Sequence, residues 1–111
     1  MRRGIATQEI DRRHAPAVDP EWQAEARYWQ AQYLYQPYYE PGRRYDFYAP
    51  AYQLGYEMAV LEPAGSFDEH ATEMRHRLAA MRRHPELDWE RAEPAARAAW
   101  LRVERGRRRL A

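Results

Sequence analysis

The sequence predicts an all-α fold, a small bundle of about four short helices built on a 22-residue repeat and preceded by a flexible lead-in. Three observations predict it. Aromatic and apolar residues recur at spacings of three and four, the period of a helix and not of a strand. Prolines punctuate the chain at even intervals, at Pro41, Pro63 and Pro85. Residues 45–66, 67–88 and 89–110 also align with one another without a gap.

Residues 1–19 show no sustained periodicity, and Arg12-Arg13-His14-Ala15-Pro16 reads as a flexible lead-in. A short helix over Ile5–Arg13 has no packing stripe to support it. Asp19-Pro20-Glu21 is a helix start: Asp caps, Pro suits the first helical position, and Glu favours the positive end of the helix dipole. The helix near 21–35 carries Trp22, Ala26, Trp29 and Tyr33 along one face. Pro37 ends it. Gln36–Arg44 is a loop by composition, with Pro41-Gly42 as its turn.

The repeat then begins. Its first position is aromatic (Tyr45, Phe67, Trp89) and its second acidic (Asp46, Asp68, Glu90). Its sixth holds Pro50, Thr72 and Pro94. Tyr52, Met74 and Ala96 share the eighth, Tyr56, Leu78 and Trp100 the twelfth, and Ala59, Met81 and Val103 the fifteenth. The last three positions are four and three apart, so they share one helical face. Proline at the sixth fits a first turn, where a missing N–H costs nothing, and this predicts helices near 50–61 and 94–106. In the middle unit, Ser66 and Glu69 have capping-box spacing, and the helix is expected over 67–83. Gly55 inside a helix costs about 1 kcal/mol relative to Ala, so a close approach by another helix is expected there. One helical domain over 20–106 and an arginine-rich tail over 107–111 follow.

Every cation is Arg, and 18 of them against 17 acids leave a net charge of +1, with no global field to steer a polyanion. Cysteine is absent, which excludes disulfides, thiolate catalysis and Cys-ligated zinc. Met1–Pro20 has no apolar run of signal-peptide length, and no stretch approaches the roughly 20 apolar residues of a membrane span. A soluble cytoplasmic protein is expected.

The run Tyr48-Ala49-Pro50-Ala51-Tyr52-Gln53-Leu54-Gly55-Tyr56-Glu57 resembles a pattern of a group of small uncharacterised bacterial proteins, Tyr-x-Pro-Ala-Tyr-x-x-Gly-Tyr-Glu followed by Trp-bounded helical segments. The resemblance covers roughly residues 28–104. It departs at Phe67-Asp68-Glu69-His70-Ala71-Thr72, where the group reads aromatic-x-x-Val-Glu-Pro. The resemblance implies a compact bacterial accessory protein and no chemistry.

Glu73-x-x-His76 has the spacing of one half of a di-iron site, but the second half and its carboxylates are missing, so a solvated helix face is the expectation. Ser66 is the chain's one serine, and with Thr72 it is explained by a helix start. No catalytic residue, cofactor or metal ligand is expected. The unusual feature is aromatic: 12 of the 15 aromatics fall between Trp22 and Tyr56. That window holds three Arg against three acids, and this neutrality disfavours single-stranded nucleic acid. Two readings stay open. The tyrosines fill the core, or they form an interface with a protein partner or a second copy, with Tyr35, Tyr38, Tyr39, Arg43, Arg44, Tyr45 and Tyr48 as its candidate residues. A non-catalytic interaction or scaffolding module, self-association included, is the leading expectation. A peripheral lipid-surface protein is the alternative, since Pro-punctuated amphipathic units suit a membrane surface. Nucleic-acid binding is the weakest of the three.

Overall fold

A computed structural model describes residues 20–81 and 84–110. The lead-in over 1–19, with the Ile5–Arg13 segment inside it, lies outside the described residues. Among the described residues there are four α-helices and no strand. Helix α1 is Pro20–Gln32, continued by a 3-10 turn, Tyr33–Tyr35. Helix α2 is Tyr45–Leu61. A second 3-10 turn, Asp68–His70, leads into α3, Ala71–Met81. Helix α4 is Trp89–Leu110.

The ends follow local chemistry. Gln36 closes the first helical segment: its Nε2 donates to the Gln32 carbonyl at 3.1 Å and its backbone N–H to the Tyr33 carbonyl at 3.2 Å. Glu40-Pro41-Gly42-Arg43 is a turn in which the Arg43 N–H donates to the Glu40 carbonyl at 3.0 Å. Gly42 sits at φ 91°, a conformation that a Cβ resists. Ser66 and Glu69 form the expected capping box: the Ser66 N–H donates to Glu69 Oε1 at 2.8 Å, and the Glu69 N–H to Ser66 Oγ at 3.3 Å.

Three starts differ from expectation. The middle helix, expected over 67–83, opens as the 3-10 turn Asp68–His70 and is α-helical over Ala71–Met81. Helices α2 and α4 begin at Tyr45 and Trp89, five residues before Pro50 and Pro94, so both prolines lie inside helices. Each proline removes one bond, to the carbonyl of Asp46 or Glu90. Those two residues are exposed and in the first turn, where water can take the missing donor's place. Starting early carries Phe47 and Tyr48 into the interior, where they are 4% and 1% exposed. In α4 the early start is also capped, because Asp88 Oδ1 accepts the Arg91 N–H at 3.0 Å. The expected tail is likewise helical, since α4 runs on through Leu110.

Helix α2 is the hub. It packs on α1 and α3, and most extensively on α4. Ten of its residues are buried, over well more than half of its circumference, and the remaining stripe of Asp46, Ala49, Gln53, Glu57 and Val60 is half-buried or exposed. The shared register faces inward: Tyr52, Met74 and Ala96 are buried, as are Tyr56, Leu78 and Trp100. The units nevertheless occupy different surroundings. The first lies against the third, and the middle one flanks the first.

The α2–α4 crossing is made of small residues. Ala51, Gly55 and Ala59 follow one another at four-residue intervals on α2, against Ala92, Ala95, Ala96 and Ala99 on α4. A Cβ built at Gly55 would fall on the Ala96 carbonyl oxygen, with its carbonyl carbon 2.8 Å away and Cα 2.9 Å away. Glycine is required there, and the helical cost of Gly55 is offset by this close approach. Gly106 on α4 is the opposite case, because a Cβ there meets nothing within 4 Å. Thermal unfolding followed by circular dichroism tests the contrast. Gly55→Ala should destabilise by about 2 kcal/mol or more, a fall in Tm of roughly 10 °C. Gly106→Ala should stabilise by about 0.5–1 kcal/mol. Equal melting of Gly55→Ala and wild type would contradict the crossing.

Candidate interaction surface

The tyrosine-rich segment closes on itself. Trp29 stacks on Tyr52 with centroids 4.4 Å apart and planes 9° apart, and Tyr45 stacks near-parallel to Tyr52 at 6.2 Å. The polar tips are used locally. The Tyr38 and Tyr52 hydroxyls share a hydrogen bond of 2.7 Å. Tyr48 Oη accepts the Glu40 N–H at 2.9 Å and donates to the Tyr38 carbonyl at 3.4 Å. The Gly42 N–H reaches the Tyr39 hydroxyl at 3.3 Å. The loop over 36–44 is therefore tied to α2 through phenols, which bring apolar area and a hydrogen-bonding end together.

This disperses the seven candidate interface residues. Tyr48 is 1% exposed and belongs to the core, so it cannot face a partner. Tyr38, Tyr39 and Tyr45 are partly buried and pack against that core. Arg43 lies 4.0 Å over the Phe47 ring and is tied to Glu40 at 3.1 Å and Glu86 at 2.6 Å. Only Tyr35, 74% exposed, and Arg44 stand in solvent. The physical reason is that α2 begins at Tyr45 and carries four aromatics inward, drawing the loop over them.

Burial shows in the phenols. Desolvation pushes Tyr38 and Tyr45 up to about 12 and raises Tyr52 further, with the Tyr38 hydrogen bond adding to the rise in Tyr52. The Tyr45 hydroxyl and Trp29 Nε1 are enclosed without a hydrogen-bond partner.

The arginine-rich end is partly structural. Arg102 Nε donates to both Glu25 oxygens at 3.1 and 3.2 Å, with its guanidinium 3.5 Å over the Tyr28 ring, and so ties α4 to α1. Arg107 donates to the Ala59 carbonyl in the last turn of α2, a group that the helix itself leaves unpaired. Arg108 pairs with Glu104 at 3.2 Å. Among the described residues, Arg105 and Arg109 make no ion pair.

Those two line a groove of about 670 Å³ between the start of α1 and the ends of α2 and α4. Tyr56, Val60, Val103 and Gly106 contribute its apolar surface, and Glu21, Glu25 and Arg102 also line it. Val60 and Leu61 are 48% and 62% exposed and continue it into a shallower depression of about 230 Å³ beside Glu57. Sequence reasoning missed this groove, although a signal was present. Val60 and Leu61 follow the inward fifteenth position, where the other units have Arg82-Arg83 and Glu104-Arg105. An apolar pair off the buried register, where its counterparts are charged, marks a face turned outward.

Among the described residues no group of three or more His, Asp or Glu is placed to hold a metal ion. Glu73 is engaged by Arg77 at 2.7 Å, and His70 lies apart beside Trp100. No helix among the described residues is long and apolar enough to cross a membrane. No family model matches the chain, and no curated protein and no solved structure matches it either.

Two measurements test this account of the tyrosines. Tyr45→Phe removes an enclosed, unpartnered hydroxyl and should leave stability unchanged or raise it, whereas Tyr48→Phe strands the Glu40 N–H and should cost about 1 kcal/mol in urea unfolding. With folded-state values raised to about 12, the folded state holds the Tyr38 and Tyr45 protons more tightly than the unfolded state does. That stability is fully present below the ordinary phenol value of about 10 and is lost as pH rises through about 12. Ultraviolet phenolate titration should therefore show these groups ionising late, together with the loss of helical circular dichroism.

Proposed function

We propose that the protein is a non-catalytic, cytoplasmic bacterial accessory module that binds another protein, and that it does so through the groove between α1, α2 and α4. One observation carries the reading. The tyrosines that suggested an interface, Tyr35 excepted, are taken up by the core or packed against it, while Val60 and Leu61 stand exposed at the end of α2, Val60 one turn beyond buried Tyr56. Exposed aliphatic side chains beside a concavity, rimmed by charge, are the usual make-up of a recognition patch. A second copy of the chain remains within this reading. Against the lipid-surface alternative, the apolar faces of the helices are turned toward one another, which leaves a narrow apolar strip for a bilayer.

Affinity capture from a host lysate tests the proposal with two variants. Val60→Asp/Leu61→Asp should lose captured proteins that Tyr35→Ala/Arg44→Ala retains. Identical capture by wild type and the Val60/Leu61 variant would refute the groove as the contact.

A further inference from the structure

We infer that the groove's occupant is an acidic amphipathic helix of a partner protein, with aliphatic side chains on one face and carboxylates beside them. The inference rests on the groove being the contact, and it adds the chemistry of what fills the groove.

Three arginines and two glutamates line the groove, and Arg102 is spent on Glu25. Arg105 and Arg109 are left without an ion pair among the described residues. They are four residues apart on α4, so they are neighbours on one helical face. Like charges at that spacing repel each other, and no carboxylate among the described residues is paired with either. Arg108, a near neighbour in sequence, has such a partner in Glu104. Two guanidiniums one turn apart match two carboxylates one turn apart on a partner helix, each able to form a charge-assisted pair.

Apolar surface supplies the second half. Val60, Tyr56 and Val103 line the groove together with these cations, and Leu61 lies in the adjoining depression that shares Tyr56 and Val60 with it. Aliphatic side chains of a partner helix at the same pitch would remove that surface from water, the helix-in-groove mode of recognition. A volume of about 670 Å³ accommodates a few side chains. A polyphosphate backbone fits less well, since the exposed aliphatics would find nothing to bury against.

The test uses the full chain and a fluorescein-labelled helical peptide of about 16 residues, roughly four turns, with Leu on one face and Glu on its flanks. Two control peptides replace Glu by Lys or Leu by Ser. Fluorescence anisotropy should show micromolar binding of the acidic amphipathic peptide, at least about tenfold weaker binding of both controls, and weakening in salt. Arg105→Glu/Arg109→Glu should lose the acidic peptide by about tenfold or more and gain the Lys peptide. This swap of preference shows the variant to be folded, and a circular-dichroism melt checks it independently.

Several outcomes would overturn the inference. One is equal binding of the Glu and Lys peptides to wild type. Another is binding that survives the Leu-to-Ser change, which would mean a response to negative charge alone. A third is affinity for phosphatidylglycerol vesicles with none for the peptide. The wider reading fails separately: if lysate capture needs Val60 and Leu61 but ignores Arg105→Glu/Arg109→Glu, the groove is the contact and its occupant is not acidic.

Discussion

The close crossing of α2 and α4 at Gly55 and Ala96 is the constraint on which the rest of the structure depends. Backbone meets backbone there, with no side chain between. That depth of contact is available only because alanine and glycine recur every fourth residue along both faces. It draws the two longest helices together and leaves the large side chains to fill the flanks. Trp22, Trp29 and the tyrosines pack on one flank of α2, and Phe67, Met74, Leu78 and Trp100 complete the core. A larger residue at the crossing would separate the helices and loosen both groups at once, since close-packed interiors relax only partially around a misfit.

Aromatic packing explains why so short a chain can be held together at all. Each ring removes a large apolar area from water, and each phenol brings a hydrogen bond to the edge of the core. The loop over 36–44 uses this directly, because Tyr38 and Tyr48 join it to α2 through their hydroxyls, and the Tyr39 hydroxyl braces its turn by accepting from the Gly42 N–H. The arrangement has a local penalty at the Tyr45 hydroxyl and Trp29 Nε1, which gain burial without a partner. Around this core, Arg43, Arg97 and Arg102 lie over the rings of Phe47, Phe67 and Tyr28 while pairing with acids on other elements. A planar guanidinium can stack flat on a ring and still donate from its edge, a geometry that a compact ammonium lacks, so an all-arginine cation set is well used here.

The inward and outward faces of the three units behave differently. Their inward positions are filled alike with aromatic and apolar side chains, while the residues just beyond the fifteenth position are aliphatic in the first unit and charged in the others. The groove arises from that difference. Val60 and Leu61 sit where the α2 end meets α4, so an apolar strip lies beside two arginines that form no ion pair among the described residues. That combination of exposed aliphatics and unpaired cations is the physical basis of the functional proposal.

Much of this was legible in the sequence. The helical period identified the fold class and the stripe of Trp22, Trp29, Tyr52, Met74, Leu78 and Trp100, because helical periodicity with a 22-residue recurrence leaves few other ways to bury apolar side chains. Gly55 announced a close helix approach, and Ser66 with Glu69 announced a cap, since both are local requirements. The true starts of α2 and α4 were not legible. Proline's usual preference for a first turn pointed to Pro50 and Pro94, and what overrode it was burial of Phe47, Tyr48 and Ala92 against elements distant in sequence. The same held for the tyrosines. Their chemistry suits a core and an interface equally, and only the packing of the loop onto α2 placed Tyr48 inside and left Tyr35 in solvent. The sequence by itself determined which residues could be buried, through period and side-chain type. Only the tertiary structure decided which were buried and which charges stayed unpaired, because those depend on contacts between segments that local pattern does not encode.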